Sequence, residues 1–341
     1  MGDGVSAVVL PMPDGRIALR VVTTSELRAN RACARRHRYA YVLRRRPRAV
    51  ADVLRFGTLW HIGQEHWWLE SGSPAAKLEA AVTAMRVQEA YDPYALVMAE
   101  ELMVAYTARW GDSDLRALAV EVPFEAPLVN PETGAASRTF KVGGKIDVIV
   151  ENAHHETFVM EHKTTGADIE EGSTYWKKVR ALDGQVSTYD AGARTLGYDV
   201  KACIYDVVRK PGLRPLRATP VEARKYTAAG RLYANQRERD ETPEEYRLRI
   251  REELHEKPER YFARGEIVRL EQDAREHAFD MWQQTRLMRE AELSGFAPRN
   301  PDACAQFGTC PYFGVCSGEA SIDDETLFRT APTAHEELET E

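Results

Sequence analysis

The sequence predicts an α/β protein with a mixed β-sheet core, flanked by helices and elaborated by helical insertions. Three observations carry that reading. Residues 146–150 and 157–160 are rich in β-branched side chains and flank a polar turn with Asn152, His154 and His155, the mark of a β-hairpin within residues 141–165. Helical patterns come before and after the hairpin, over 74–110 and 174–196. A further strand pattern, 199–208, follows Gly197.

The elements follow in order. Residues 1–22 read as a loosely structured segment with a hairpin around 13–15. Thr24 or Ser25 caps a helix that runs through Cys33 to about Leu43. Gly57 precedes a second helix carrying His61, Trp67 and Trp68, and 74–110 continues helical with Pro93 as its interruption. Alternation over 118–124 marks a strand leading into the hairpin. After the helix at 174–196 and the strand at 199–208 comes a Pro-rich loop, 210–220. Residues 221–257 are strongly charged and predict helices projecting from the core. A short strand within 261–270, an amphipathic helix over 271–294 and a cysteine-bearing loop complete the folded part. The acidic stretch 319–341, short of aromatics, predicts a disordered tail.

A length of 341 residues suits one large domain with insertions or two modest ones. With 43% hydrophobic and 29% charged residues the composition is that of a soluble globular protein. No apolar run is long enough to cross a bilayer. The first residues lack a basic flank before an apolar core, and Gly2 lies outside a lipidation context, so a cytoplasmic protein is expected. The net charge of −7 excludes a uniformly basic nucleic-acid coat. Nine arginines nevertheless lie between positions 28 and 48, interleaved with Tyr39 and Tyr41. Arg35, Arg36, Arg38 and Tyr39 are the candidate DNA-binding residues of that cluster; a solvated helical face paired with acidic helices is the other reading.

The hairpin carries the chemistry. Asp147 lies on its first strand, and Glu161 and Lys163 on its second, two apart and so on one face. Two carboxylates and a lysine among Val, Ile and Phe fit a metal-and-phosphate site, or a cross-strand salt bridge on a solvated face. Gln185 and Tyr189, four apart on the following helix, share a face. Adjacent His154 and His155 are expected in solvent, and Glu121 in a structural role. His61 and Tyr189 are also plausible as packed core residues. Cys203 reads as a buried core thiol.

In chain order, His61, G-x-x-D at Gly144–Asp147, E-x-K at Glu161–Lys163 and Q-x-x-x-Y at Gln185–Tyr189 resemble the RecB-like branch of the PD-(D/E)xK nucleases. Cys33, followed by Cys304, Cys310 and Cys316, resembles the iron–sulfur version of that branch, which includes AddB-type, CRISPR-associated and phage exonucleases. The resemblance implies a restriction-endonuclease-like fold in a single domain over 23–318. It also implies a C-terminal cysteine loop closing onto the N-terminal helix, with a [4Fe–4S] cluster as the staple. Here five residues separate each pair of successive C-terminal cysteines, where the family commonly has C-x2-C-x5-C, and zinc stays open as the alternative metal. The implied activity is metal-dependent exonuclease cleavage of DNA, on single strands or duplex ends, in recombination, repair or phage replication. Mg²⁺ or Mn²⁺ would be held by His61, Asp147, Glu161 and the main-chain carbonyl of His162. Lys163 would position water or stabilise charge, with Gln185 and Tyr189 contacting the DNA backbone and orienting it. A catalytically silent DNA-binding or zinc-stapled assembly module is the other class the same fold would serve. No Walker loop is present, so a helicase or recombination partner would be a separate chain.

Overall fold

The computed structural model describes residues 19–49, 52–88, 91–306 and 308–339. The hairpin expected around 13–15 lies outside them. Strand β1 (Arg20–Val22) leads into α1 (Thr24–Ala32), which Thr23, one residue before the predicted caps, closes by accepting from the Glu26 amide. Cys33 is extended (φ −163°, ψ 113°) and breaks the helix predicted through Leu43, so α2 (Ala34–His37) and a π-helical turn (Arg38–Val42) follow separately. Next come β2 (Arg45–Pro47) and α3 (Asp52–Leu69). Helix α3 does not start at Gly57 but runs through it, close enough to the sheet that a Cβ there would sit 3.6 Å from the Thr164 hydroxyl. The helical stretch predicted over 74–110 is two helices, α4 (Pro74–Arg86) and α5 (Pro93–Trp110). Each has proline in its first turn and a capping side chain, Ser73 or Asp92, just before it.

The central strands are β3 (Arg116–Val129), β4 (Ala136–Glu151) and β5 (Thr157–Thr165). In the β4–β5 turn the Asn152 side chain accepts from the amides of His154 and Glu156, and His155 takes a φ of +59°, which reverses the chain tightly. His154 and His155 are exposed, as expected. The helix predicted over 174–196 is split into α6 (Thr174–Leu182) and α7 (Gly184–Thr195), because Asp183 leaves the helical region and caps α7 through the Gln185 amide. Strand β6 (Val200–Arg209), α8 (Pro243–Glu256), β7 (Phe262–Ile267), α9 (Glu271–Ser294) and α10 (Phe313–Ser317) complete the core. Of the predicted 221–257 helices only α8 forms beyond a single 3-10 turn, and it packs on α5 rather than projecting.

The six-stranded sheet is mixed, in the order β1-β4-β5-β6-β7, with β3 also paired to β4. Strand β3 is an edge, which tolerates Pro123 and Pro127. It lies antiparallel along one side of β4, from Arg116 opposite Glu151 to Val129 opposite Ala136. β1 and β5 share the other side: β1 takes 140–142 and β5 takes 148–151. Residues 143–147 are left between them without a strand partner on that edge among the described residues, and the sheet forks there. One face is covered by α3, α4, α5 and α8 around Trp60, Trp67, Tyr106 and Tyr246. The other is covered by α6 and α7 around Trp176, Val186 and Tyr189.

The tail expected to be disordered is ordered over 319–339. Its strand β8 (Phe328–Thr330) pairs antiparallel with β2. Its acidic composition suggested solvation, but the acids and carbonyls meet arginines of the 28–48 cluster. Arg45 reaches Asp323, Arg46 the carbonyl of Ala334, and Arg48 that of Glu325. Farther on, His335 stands 3.0 Å from the buried Glu26 carboxylate of α1, which also accepts from His37 at 2.7 Å and pairs with Arg20. Burial opposes both charges. The partners outweigh it, raising His335 to about 9 and holding Glu26 down at about 2. A raised histidine stabilises fully below its ordinary value of about 6.5 and loses that contribution as pH rises through about 9. Glu26 contributes above about 4.5 and fails only near 2. Amide-exchange protection of β8, referenced to β5, is therefore expected to fall as pH rises from about 6.5 through about 9. In His335→Gln that pH dependence should vanish; the same fall in the variant would remove His335 from the fastening.

Candidate active site

The fork in the sheet gathers the polar residues singled out in the sequence. With β5 absent from the edge of β4 at this point, the His162 amide donates to Asp147 Oδ2 at 2.8 Å instead of to a strand carbonyl. Asp147 is buried, 8% exposed, and the imidazole of His61 on α3 comes to 3.7 Å from it. From the opposite side comes Glu121, which was expected to be structural. Its neighbours Val120 and Val122 lie opposite Val148 and Ile146, so Glu121 faces Asp147 across the β3–β4 ladder. Its φ of +51° is a conformation that costs a non-glycine residue roughly 1 kcal/mol or more. Among the described residues, His61, Glu121 and Asp147 form the one group of three or more metal-type ligands whose donor atoms lie within 4.8 Å of one another. The sequence admits Glu121 as a further acidic contributor and favours a structural role; the geometry sets it beside Asp147 and His61.

Glu161 and Lys163 project toward α7. Lys163 pairs with Glu161 Oε1 and donates to Gln185 Oε1 at 3.1 Å. The Gln185 amide in turn donates to Glu161 Oε1 and to the Tyr189 hydroxyl, each at 2.8 Å. Gln185 and Tyr189 are buried, which puts them behind Lys163 and Glu161 and not at a surface that meets DNA. The G-x-x-D glycine has a steric reason here: a Cβ on Gly144 would stand 2.7 Å from the Phe124 ring and 3.3 Å from Tyr189.

Burial and like charge set the ionisation of the fork. Burial raises the carboxyl pKa of Asp147 and of Glu161, and the charge of Asp147 raises Glu161 further. Burial disfavours the Lys163 ammonium too, but Glu161 and Asp147 outweigh it and keep its pKa above the ordinary lysine value. His61 keeps 35% of its side chain exposed, yet the packing around the ring lowers it to about 4, so it is a neutral imidazole at pH 7, the form that binds metal. Glu161 Oε2 is buried with no hydrogen-bond partner among the described residues. An orphaned carboxylate oxygen in a fork beside two further carboxylates and a neutral imidazole fits a divalent cation with hard oxygen ligands.

Behind the fork the His162 ring turns to the α3 side of the sheet, with Nδ1 3.1 Å from Asp206 Oδ2, an ion-pair distance without hydrogen-bond alignment. Asp206 also takes the Tyr106 hydroxyl and Arg264.

Cys33, Cys304 and Cys310 lie near Cys316, while Cys203 is buried in the sheet core, as expected. Cys33 stands at the α1–α2 break, Cys310 donates its amide to the Cys304 carbonyl, and Cys316 lies on α10. Burial raises the Cys316 thiol, and Cys33, Cys310 and Cys304 all lie close enough to add to that. The four residues share the thiol chemistry that soft metals favour. They are not drawn into a group within 4.8 Å, whereas a zinc tetrahedron with Zn–S of about 2.3 Å would hold its sulfurs about 3.8 Å apart. Tyr39, expected on DNA, is instead buried against Tyr312 in the core of this lobe. Arg35 donates to the Ala297 carbonyl and covers Phe296, while Arg36 and Arg38 are half-buried.

A family model described as "PD-(D/E)XK nuclease superfamily" matches residues 21–317. No curated protein matches the chain. A solved structure described as "Crystal structure of SSO0001" superposes with a TM-score of 0.35 at 13% identity, covering 89% of this chain and 88% of that one, too loose a likeness to bear on function.

Proposed function

The chain belongs to the PD-(D/E)XK nuclease superfamily, and from that premise we propose that it is a metal-dependent exonuclease hydrolysing DNA phosphodiesters on single strands or duplex ends. The observation that carries this reading is the fork itself, where His61, Glu121 and Asp147 bring their donor atoms within 4.8 Å of one another and Glu161, paired with Lys163, keeps a carboxylate oxygen without a hydrogen-bond partner among the described residues. Asp147, Glu121, His61 and Glu161 Oε2 would hold Mg²⁺ or Mn²⁺, with the His162 carbonyl as a further oxygen. A bound divalent ion polarises a phosphoryl oxygen and lowers the pKa of water. Lys163 then orients the attacking water or stabilises the charge growing on the phosphate. Gln185 holds the Lys163 ammonium in place and Tyr189 holds Gln185. Cys33, Cys304, Cys310 and Cys316 would carry a [4Fe–4S] cluster that staples the two chain ends together; recombination, repair or phage replication would supply the DNA, with any helicase a separate protein.

End-labelled single- and double-stranded DNA, linear and circular, tests the activity. Cleavage of linear DNA with Mn²⁺ or Mg²⁺ that stops on chelation is expected. Binding without cleavage under every metal would reduce the protein to a scaffold. Anaerobically purified protein should be brown; colourless protein containing zinc would overturn the cluster.

A further inference from the structure

Between β6 and α8 the chain makes an irregular two-limbed finger. Glu241 and Leu216 exchange hydrogen bonds at its root, Thr219 bonds the Arg237 carbonyl, and the Tyr233 amide donates to Lys225. Tyr226 bridges Leu232, and the limbs turn at the tip through Gly230, φ +70°. The finger has no core of its own. Tyr226 is 52% exposed, Tyr233 45% and Val221 74%. Residues 210–239 hold eight Lys and Arg against two Glu, in a chain whose net charge is −7. Some of these cations brace the finger: Arg217 pairs with Asp240, Arg237 and Arg239 with Glu245, and Arg224 donates to the carbonyls of Thr219 and Glu238. Lys225 and Arg231 are exposed and carry no ion pair among the described residues. Aromatic faces beside unneutralised cations suit a polyanion with free π-faces. A duplex hides its base faces in the stack; a single strand offers them.

The root of the finger adjoins the fork. The Lys210 amide donates to the Thr165 carbonyl, two residues beyond Lys163 on β5, and the Lys210 ammonium lies 4.8 Å over the Phe56 ring of α3, the helix that carries His61. We propose that the finger is a landing site for single-stranded nucleic acid, with Tyr226 and Tyr233 stacking on bases and Lys225 and Arg231 meeting phosphates on the way to Lys163. The direction of travel rests on the nuclease reading; the binding does not.

The test uses the full-length protein with chelator present and a fluorescent oligothymidylate, read by anisotropy at low and moderate salt. Tyr226→Ala/Tyr233→Ala is expected to weaken binding by about tenfold or more. Lys225→Glu/Arg231→Glu should weaken it similarly and flatten the salt dependence. Hydrolysis of bis(p-nitrophenyl) phosphate, too small to reach the finger, should be unchanged in both, which also shows that both fold. Wild-type binding in both variants, or no binding of the oligonucleotide by the wild type, overturns the proposal and leaves the finger to a protein partner. If the wild type cleaves no DNA while the variants lose binding, the nuclease reading fails and the landing site stands. If it cleaves and the variants bind and cleave alike, the landing site alone fails.

Discussion

Asp147→Asn is expected to cut phosphodiester cleavage by about 10³-fold or more while the protein stays folded and still binds DNA. Asp147 is where the elements of the fork meet: its carboxylate accepts the His162 amide of β5, faces Glu121 of β3 and lies beside His61 of α3. Asparagine keeps an oxygen to accept that amide, so the fork keeps its shape. What it loses is the charge that draws a cation. The same change should make the metal-free protein more stable. A carboxyl whose pKa is raised by folding opposes folding as it ionises, so the cost is absent below about pH 4 and grows as pH rises through the raised value. Thermal unfolding should separate the two effects. Wild-type protein should gain in Tm on adding Mn²⁺, whereas Asp147→Asn should start higher and gain little. Glu121→Gln should fall between them, with cleavage restored at higher Mn²⁺. Cleavage by the purified Asp147 variant at the wild-type rate would end the assignment of the fork as the reacting centre.

The parts of this site that were legible in the sequence are those fixed by short-range pattern. Asp147, Glu161 and Lys163 could be placed because a hairpin declares itself through β-branched runs about an Asx turn, and period two then assigns faces. Gln185 and Tyr189 followed from helical spacing, and the limits of α9 from its amphipathic pattern. For Glu121 the sequence favours a structural role over an acidic contribution to the site, because its place depends on the register of β3 against β4, which no local pattern encodes; a glutamate flanked by valines in a strand is otherwise unremarkable. For the arginines of 28–48 the sequence leaves a phosphate path and a face paired with acidic helices both open, and it shows the acidic tail as solvated, for one reason: composition reports charge but not which charges meet. In the fold Arg45 meets Asp323, and the guanidiniums of Arg46 and Arg48 cap tail carbonyls. Burial corrected Tyr39 in the same way, since an aromatic among arginines looks exposed until Tyr312 packs on it from more than two hundred residues away.

The largest loss of stability is expected from a residue the sequence presents as ordinary strand. Asp206 is 1% exposed, and its carboxylate receives the Tyr106 hydroxyl of α5 and the Arg264 guanidinium of β7, with the His162 ring of β5 alongside. Burial works against its charge, yet Arg264 and His162 hold its pKa well below the usual carboxylate range, so its contribution is present above about pH 4 and is lost only in strong acid. Arg264 is itself packed over Trp110 at 4.2 Å with its side chain 11% exposed. Asp206→Ala therefore strands a guanidinium inside the protein, at a cost of about 3–5 kcal/mol. Urea denaturation should show the midpoint falling with little change in slope. Asp206→Leu combined with Arg264→Met should recover much of the loss, because the second change removes the uncompensated charge. The damage should also reach the fork. His162 carries the amide that positions Asp147, so loosening its ring should weaken Mn²⁺ binding by roughly 10- to 100-fold even where the variant remains folded. A stable Asp206→Ala protein with undiminished Mn²⁺ affinity would mean that the buried cluster and the fork are independent, and that Asp147 takes its position from β4 alone.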